Sequence, residues 1–288
     1  ILDFPVKKKQ EDKTGSIVAW ERPIDNPGFG TYYASIDPVS EGKTTTSDSL
    51  CSIFVYKNPV EITRDTPDGQ ETFIEKDKIV ASWSGRFDDI NKTHERLELI
   101  VEWYNAWTIV ENNISLFIQH MIARRKQKYL VPKQQVLFLK DLGSNRTVYQ
   151  EYGWKNTGTL FKSHLISYAI EYIREVIDEE LDDNGEVIKQ TFGVDRIPDP
   201  MLLTEMSQYY PGLNVDRLVA FSALVAFAKV QQSNRGYLKR KESDKSSNNL
   251  DNSKNLYKLS MNPFKNIGRK RQLSKGKKFK KSPFKNIK

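Results

Sequence analysis

The sequence predicts an α/β domain built on a mixed β-sheet flanked by helices, followed by a basic, disordered C-terminal tail. Three observations predict it. Between residues 31 and 86, three runs rich in β-branched and aromatic residues follow one another with turn residues between them, as in an antiparallel meander. From residue 93 onward, apolar residues recur at helical spacing and alternate with short strand-like runs. After residue 235 the periodicity ends, and Lys, Ser and Asn dominate.

Residues 1–30 are polar and broken by Pro23, Pro27, Gly28 and Gly30, which predicts a linker with one short strand near 17–20. Residues 31–37 form the first strand of the meander. A Gly/Thr/Ser-rich loop over 38–49 leads to a second strand, 50–56. The D-T-P-D-G stretch at 65–69 reads as the turn before a third strand, 78–86. Over 93–105, Leu97, Ile100, Val101 and Tyr104 share one helical face. Residues 107–110 form a short strand closing on Glu111. Residues 114–129 form a helix with Leu116, Phe117, His120 and Met121 inward and cations at its C-terminal end. A further strand is expected at 136–139 and a long helix at 159–177. Asn184-Gly185 marks the tip of an inserted β-hairpin. Helices at 198–210 and 215–231 complete the domain, and Trp83, Trp103, Trp107 and Trp154 are expected in its core. Three sequential antiparallel strands followed by alternating helix and strand is the order of a ribonuclease-H-like fold. Ferredoxin-like and doubly wound sheets do not open that way. The chain thus divides into a linker (1–30), a domain (31–235) and a Lys-rich tail (236–288).

Composition narrows the function classes. The one cysteine, Cys51, cannot form an internal disulfide, and no Cys/His set has zinc-site spacing. No apolar run is long enough to span a bilayer and no leader is visible, so a reducing, cytoplasmic setting and no membrane partner are expected. The chain begins at Ile1 rather than Met, which predicts a piece of a longer polypeptide. The formal charge of +8 divides unevenly: residues 239–288 carry +14 and residues 1–238 carry −6. An acidic domain therefore bears a tail suited to a polyanion, with Lys277 and Lys278 among its DNA-attracting cations. The tail also repeats Pro-Phe-Lys-Asn-Ile at 263–267 and 283–287, the pattern of a short docking motif present twice.

Three carboxylates stand where chemistry would need them. Asp37 ends the first strand, Glu111 follows the short strand at 107–110, and Asp216 opens a nearly all-apolar helix. Each sits at the margin of the core, where an unpaired charge is costly to desolvate. A divalent cation offsets that cost, and carboxylate oxygens are hard ligands suited to Mg²⁺ or Mn²⁺. Taken singly, each acid has an ordinary structural reading: a turn residue before Pro38, an ion-pair partner, a helix N-terminal residue. Their joint placement is what points to a two-ion phosphodiesterase site.

The segment W-E-R-P-I-D-N-P-G-F-G-T-Y-Y-A-S-I-D-P-V-S-E-G-K-T-T-T-S-D-S at 20–49 resembles the start of the nuclease domain in large terminase subunits of tailed bacteriophages. T-I-V-E-N-N (108–113), E-Y-G-W-K-N-T-G-T-L-F-K (151–162) and N-V-D-R-L-V-A-F-S-A-L (214–224) resemble that family's later motifs, in the family's order. The resemblance implies a double-strand endonuclease that cuts concatemeric viral DNA during genome packaging. Asp37, Glu111 and Asp216 would be its metal-binding triad, with two Mg²⁺ or Mn²⁺ ions and Asp48 as an auxiliary ligand. It further implies a packaging ATPase upstream of Ile1, portal and small terminase partners, oligomerisation in the assembled motor, and the cytoplasm of the infected host cell. Lys162 and His164 on the long helix are candidates to touch a phosphate. Where many relatives have paired acids at the third motif, this chain has Val215-Asp216-Arg217, and Glu41 competes with Asp48 for the auxiliary role. Gly42-Lys43-Thr44 is not a phosphate-binding loop, because Asp37 stands where its first Gly is required and a strand follows. The acidic hairpin at 179–190 suits a lid or a partner contact. The rival readings are another ribonuclease-H-like DNA enzyme, such as a junction resolvase or transposase, and a non-catalytic DNA-binding module.

Overall fold

A computed structural model describes residues 15–42, 49–67, 69–136, 151–155, 159–182, 184–210, 213–235 and 238–241. In chain order the elements are β1 (Val18–Ala19), β2 (Tyr32–Asp37), β3 (Cys51–Lys57), β4 (Val60–Thr66), β5 (Gly69–Glu75), β6 (Lys78–Gly85), α1 (Ile90–Tyr104), β7 (Trp107–Val110), α2 (Leu116–Ala123), α3 (Thr159–Arg174), β8 (Val176–Leu181), β9 (Val187–Phe192), α4 (Pro200–Ser207), α5 (Asp216–Arg235) and β10 (Leu238–Lys241).

The domain is mixed α/β. Its central sheet has five strands in the order β1-β6-β3-β2-β7. The expected meander is present: β2 pairs antiparallel with β3, and β3 with β6. β7 then returns parallel to β2 after the α1 crossover. Because side chains alternate across a strand, both faces need cover. Tyr32, Ala34, Ile36, Ile53, Val55 and Val80 pack with Leu97 and Val101 of α1 and Phe117 and Met121 of α2. Tyr33, Phe54, Trp107 and Ile109 pack on the other face with Leu165 of α3 and Phe221, Leu224 and Phe227 of α5. This explains the near-continuous apolar runs of β2, β3 and β7: each has an apolar neighbour above and below.

The structure corrects several boundaries. The D-T-P-D-G stretch turns between β4 and β5, a hairpin inserted between the second and third strands of the meander. β5 is exposed nearly throughout and carries adjacent Phe73 and Ile74 instead of an alternating apolar face, so no core-strand pattern marks it. The helix expected over 114–129 ends at Ala123, and Arg125 takes a left-handed φ of 59° before a single 3₁₀ turn at Gln127–Tyr129. Leu116 faces outward at 38% exposure, with Ile118 buried alongside Phe117 and Met121. Trp83, Trp107 and Trp154 are core residues, whereas Trp103 lies on the outer side of α1 at 42% exposure. The long helix stops at Arg174, and Val176 already belongs to the β8–β9 hairpin, where Gly185 supplies the positive φ of the turn. Residues 15–30 are not free of the domain. β1 extends the sheet against β6, and Tyr104 donates its hydroxyl hydrogen to the Glu21 carbonyl at 2.6 Å. At the other end, β10 pairs parallel with β4, inside the stretch assigned to the tail. The strand expected at 136–139 lies outside the described residues except for Val136, and the repeated Pro-Phe-Lys-Asn-Ile motif and Lys277 and Lys278 lie wholly outside them. Among the described residues no helix is long and apolar enough to cross a membrane.

Candidate functional site

The parallel pairing of β2 with β7 places two of the three acids. Tyr33 stands opposite Trp107 and Ile36 opposite Val110, so the next residues, Asp37 and Glu111, leave the sheet side by side. The Glu111 N–H donates to the Ile36 carbonyl at 2.9 Å, which fixes that step. Asp37 alternates with Ser35 and Tyr33, and Glu111 with Ile109 and Trp107. Both therefore belong to the face covered by α3 and α5. α5 packs across β2 and β3 and begins at Asp216, which brings the third acid to the same end of the sheet. Asp216 is held there by the Leu50 N–H, which donates to its Oδ2 at 2.7 Å. The Asn214 amide lies between Asp216 Oδ2 (3.4 Å) and the Ser49 hydroxyl oxygen (3.1 Å). Asp216 lies in the first turn of α5, and its charge raises the pKa of Asp37.

Glu111 is buried and oriented by the chain around it. Asn113 donates its side-chain amide to Glu111 Oε1 at 2.6 Å. The E-Y-G-W stretch runs alongside: the Trp154 N–H donates to the Val110 carbonyl at 2.9 Å, and the Asn112 amide side chain donates to the Tyr152 carbonyl at 2.9 Å. Gly153 is required for this approach. It has φ +70°, and a Cβ there would lie 2.2 Å from the Val110 carbonyl oxygen.

The electrostatics follow from the placement. Asp37 as a residue keeps partial exposure, but its carboxyl group is densely surrounded by protein. Burial pushes its pKa well above the usual carboxylate range, and the negative charges of Glu111 and Asp216 push it further; a hydrogen bond with Glu111 acts in the same direction. Lys162 of α3 opposes the rise, acting as a cation near an otherwise acidic pocket. It is half-buried, and its ammonium donates to the Leu213 carbonyl at 3.4 Å. The Cys51 thiol, buried beside this cluster, is also pushed up, mainly by burial and then by Asp37.

Of the sequence candidates, Asp37, Glu111, Asp216 and Lys162 come together at this end of the sheet. His164 does not join them; it is exposed, with its ring set edge-on to Tyr168 at 5.3 Å. Asp48, Lys277 and Lys278 lie outside the described residues. Glu41 points to Arg86, at 3.7 Å, and Arg217 is turned to Glu205 of α4 at 3.0 Å. Arg217, the residue after Asp216, thus serves the α4–α5 junction. Asn113 and Asn214 stand inside the motifs at 108–113 and 214–224, but the amide contacts that hold Glu111 and Asp216, and the buried Arg86, were not legible in the sequence. The donors offered by the three acids are all carboxylate oxygens, which suits a hard divalent cation. Among the described residues no group of three or more His, Cys, Asp and Glu side chains forms a ready-made cage for an ion. The acids share an electrostatic neighbourhood, which acts over longer distances than direct coordination. No protein-family model matches the chain, and no curated protein is similar to it in sequence.

Proposed function

We propose that the domain is a metal-dependent endodeoxyribonuclease of ribonuclease-H-like fold, the DNA-cutting part of a large terminase subunit that cleaves concatemeric viral DNA at packaging. The observation that carries this reading is the meeting of Asp37, Glu111 and Asp216 at one end of the sheet. A domain with no use for a cation would not gather three acids where burial already disfavours one. Asp37, which feels both other carboxylates, would hold Mg²⁺ or Mn²⁺ together with Glu111 and Asp216. Two such ions, when bound, lower the pKa of an attacking water and stabilise the departing 3′ oxygen.

The chain's own groups prepare for this. Asn113 fixes the Glu111 carboxylate, and the Leu50 N–H and Asn214 fix that of Asp216. Lys162 offsets part of the negative charge and is the group expected to meet a scissile phosphate. Contacts to DNA are expected to be to the backbone, without base selection, as cutting at any sequence requires. The motif order in the sequence supports a terminase over a resolvase or transposase, with portal and small terminase proteins as its partners.

Plasmid digestion in Mn²⁺ tests the reading, with wild type beside Asp37→Ala. Wild type is expected to linearise and degrade the plasmid, and the variant to leave it intact. A wild type that neither cleaves nor gains thermal stability in Mn²⁺ would overturn the proposal. Preferential cutting of four-way junctions over linear duplex would move the assignment to a resolvase.

A further inference from the structure

The loop that follows Asp37 leaves the sheet and re-enters it at Leu50, whose N–H holds Asp216. Both ends of that loop meet one side chain. Arg86, at the end of β6, is 2% exposed. Its Nε–H is shared between the carbonyls of Glu41 (3.0 Å) and Gly42 (2.9 Å), and a terminal N–H donates to the Ser49 carbonyl at 3.2 Å. Its other terminal nitrogen lies 3.7 Å from the Glu41 carboxylate, which is mostly exposed and so compensates little of the buried charge. A buried guanidinium is costly unless its hydrogen-bonding capacity is used, and here backbone carbonyls on both sides of the loop use it. Close packing reinforces the arrangement, because a Cβ on Gly42 would lie 1.8 Å from the Asp88 carbonyl oxygen.

We propose that Arg86 is a positioning residue for the acidic site: by clamping Gly42 to Ser49, it sets the Leu50 N–H against Asp216 and holds the exit of β2 at Asp37. The inference rests on the metal-site reading above. Arg86 itself touches none of the three acids in the bonds described. It acts one step removed, through Ser49 and Leu50 on one side and the chain from Asp37 to Gly42 on the other. A planar fork does this and a point charge does not, so lysine is the informative replacement. It keeps the charge and most of the volume but cannot span both ends of the loop.

The test is a thermal-shift titration of the whole chain with Mn²⁺, without DNA, on wild type, Arg86→Lys and Gly42→Ala. The alanine variant disturbs the same loop without altering any charge. Wild type is expected to be stabilised by Mn²⁺. Both variants are expected to need about 10-fold or more Mn²⁺ for half the shift, the usual effect of losing a group that orients metal ligands. Circular dichroism in the absence of Mn²⁺ checks that each variant is folded. Folded variants with the wild-type Mn²⁺ midpoint would overturn the positioning role while leaving the metal site standing. If Arg86→Lys fails to fold, the Gly42→Ala titration decides alone by the same criterion. A wild type indifferent to Mn²⁺ would remove the metal reading, and this inference with it.

Discussion

Two buried carboxylates in this domain have opposite surroundings. Glu98 of α1 is nearly inaccessible, yet two cations and an imidazole reach it: Arg124 at 3.0 Å, Lys126, and His120 at 2.5 Å. Burial alone would raise its pKa, but the hydrogen bonds from Lys126 and His120 and the charges of Lys126 and Arg124 lower it. Asp37 is enclosed with two further acids and one opposing lysine, and its pKa is raised. Glu98 has its compensation built into the fold and ties α2 and the turn after it to α1. Asp37 lacks that compensation. A protein carries an uncompensated carboxylate in its interior where something outside the chain completes it, which is why this region, rather than the more conspicuous ion network, is the candidate site.

The largest expected effect separates the two directly. Asp37→Asn is expected to lower Mn²⁺-dependent cleavage by on the order of 10³–10⁴-fold, as loss of a central catalytic group does. The same change is expected to raise the thermal midpoint of the ion-free protein at neutral pH. A carboxyl whose folded pKa is raised costs stability as pH climbs from its unfolded value through its folded one, and an amide removes that cost. A domain of this size gains about 2–4 °C per kcal/mol. Loss of cleavage together with loss of stability would mean that Asp37 is structural.

Glu98→Gln is expected to do the reverse. It should cost about 2–3 kcal/mol, below the range for a fully buried pair because Arg124 and Lys126 reach solvent. Cleavage per folded molecule should be unchanged, read as activity normalised to the folded fraction in a urea titration. The stability from Glu98 is present above its unfolded pKa and is lost as pH falls through the lower, folded one. Its neighbour His94 behaves differently in acid. Burial, and then the charge of His120, depress its pKa to about 4, so it is neutral in the fold. Stability from His94 is lost as pH drops from about 6.5 towards 4, with His94→Leu expected to flatten that part of the acid-unfolding curve.

Mn²⁺ offers a third comparison. At 100 times its dissociation constant an ion stabilises by about 2.7 kcal/mol. Because the proton favoured on Asp37 must leave, the Mn²⁺ midpoint should fall as pH rises through the raised pKa of Asp37. In Asp37→Asn both the shift and its pH dependence should disappear, whereas in Glu98→Gln both should persist.

What the sequence could reveal depended on how local each signal was. The strands at 31–37 and 107–110 were readable because apolar character on both faces is a property of the residues themselves, and each acid stood just past such a run. That Asp37 and Glu111 are neighbours required the parallel pairing of β2 with β7, which no spacing encodes. The β4–β5 hairpin escaped because β5 is exposed nearly throughout and β4 is only partly buried, leaving a turn signal with the wrong strands attached. Arg86 and Asn214 act through contacts spanning 37 and 165 residues of sequence, beyond the reach of any motif. The Asn184-Gly185 turn was legible for the opposite reason: its left-handed glycine is a demand on one residue.

The smallest expected effect concerns that hairpin. Leu181, Val187 and Ile188 near its tip are exposed, Ile188 at 67%, and the ion pair of Lys189 with Glu180 is open to solvent. Little apolar area is at stake in the tip, so removing residues 181–187 should change the thermal midpoint by less than about 2–4 °C, the equivalent of 1 kcal/mol. The base is different: Arg196 bridges Asp77 and Glu175, each at 2.5 Å, with its guanidinium 4.2 Å over the Tyr172 ring. The hairpin is thus anchored firmly at one end and contributes little at the other. If it restrains access of duplex to the acids, deleting the tip should raise Mn²⁺-dependent cleavage of linear DNA while the Mn²⁺ midpoint stays fixed. Equal cleavage by the intact and shortened chains would leave the hairpin without a role at the site.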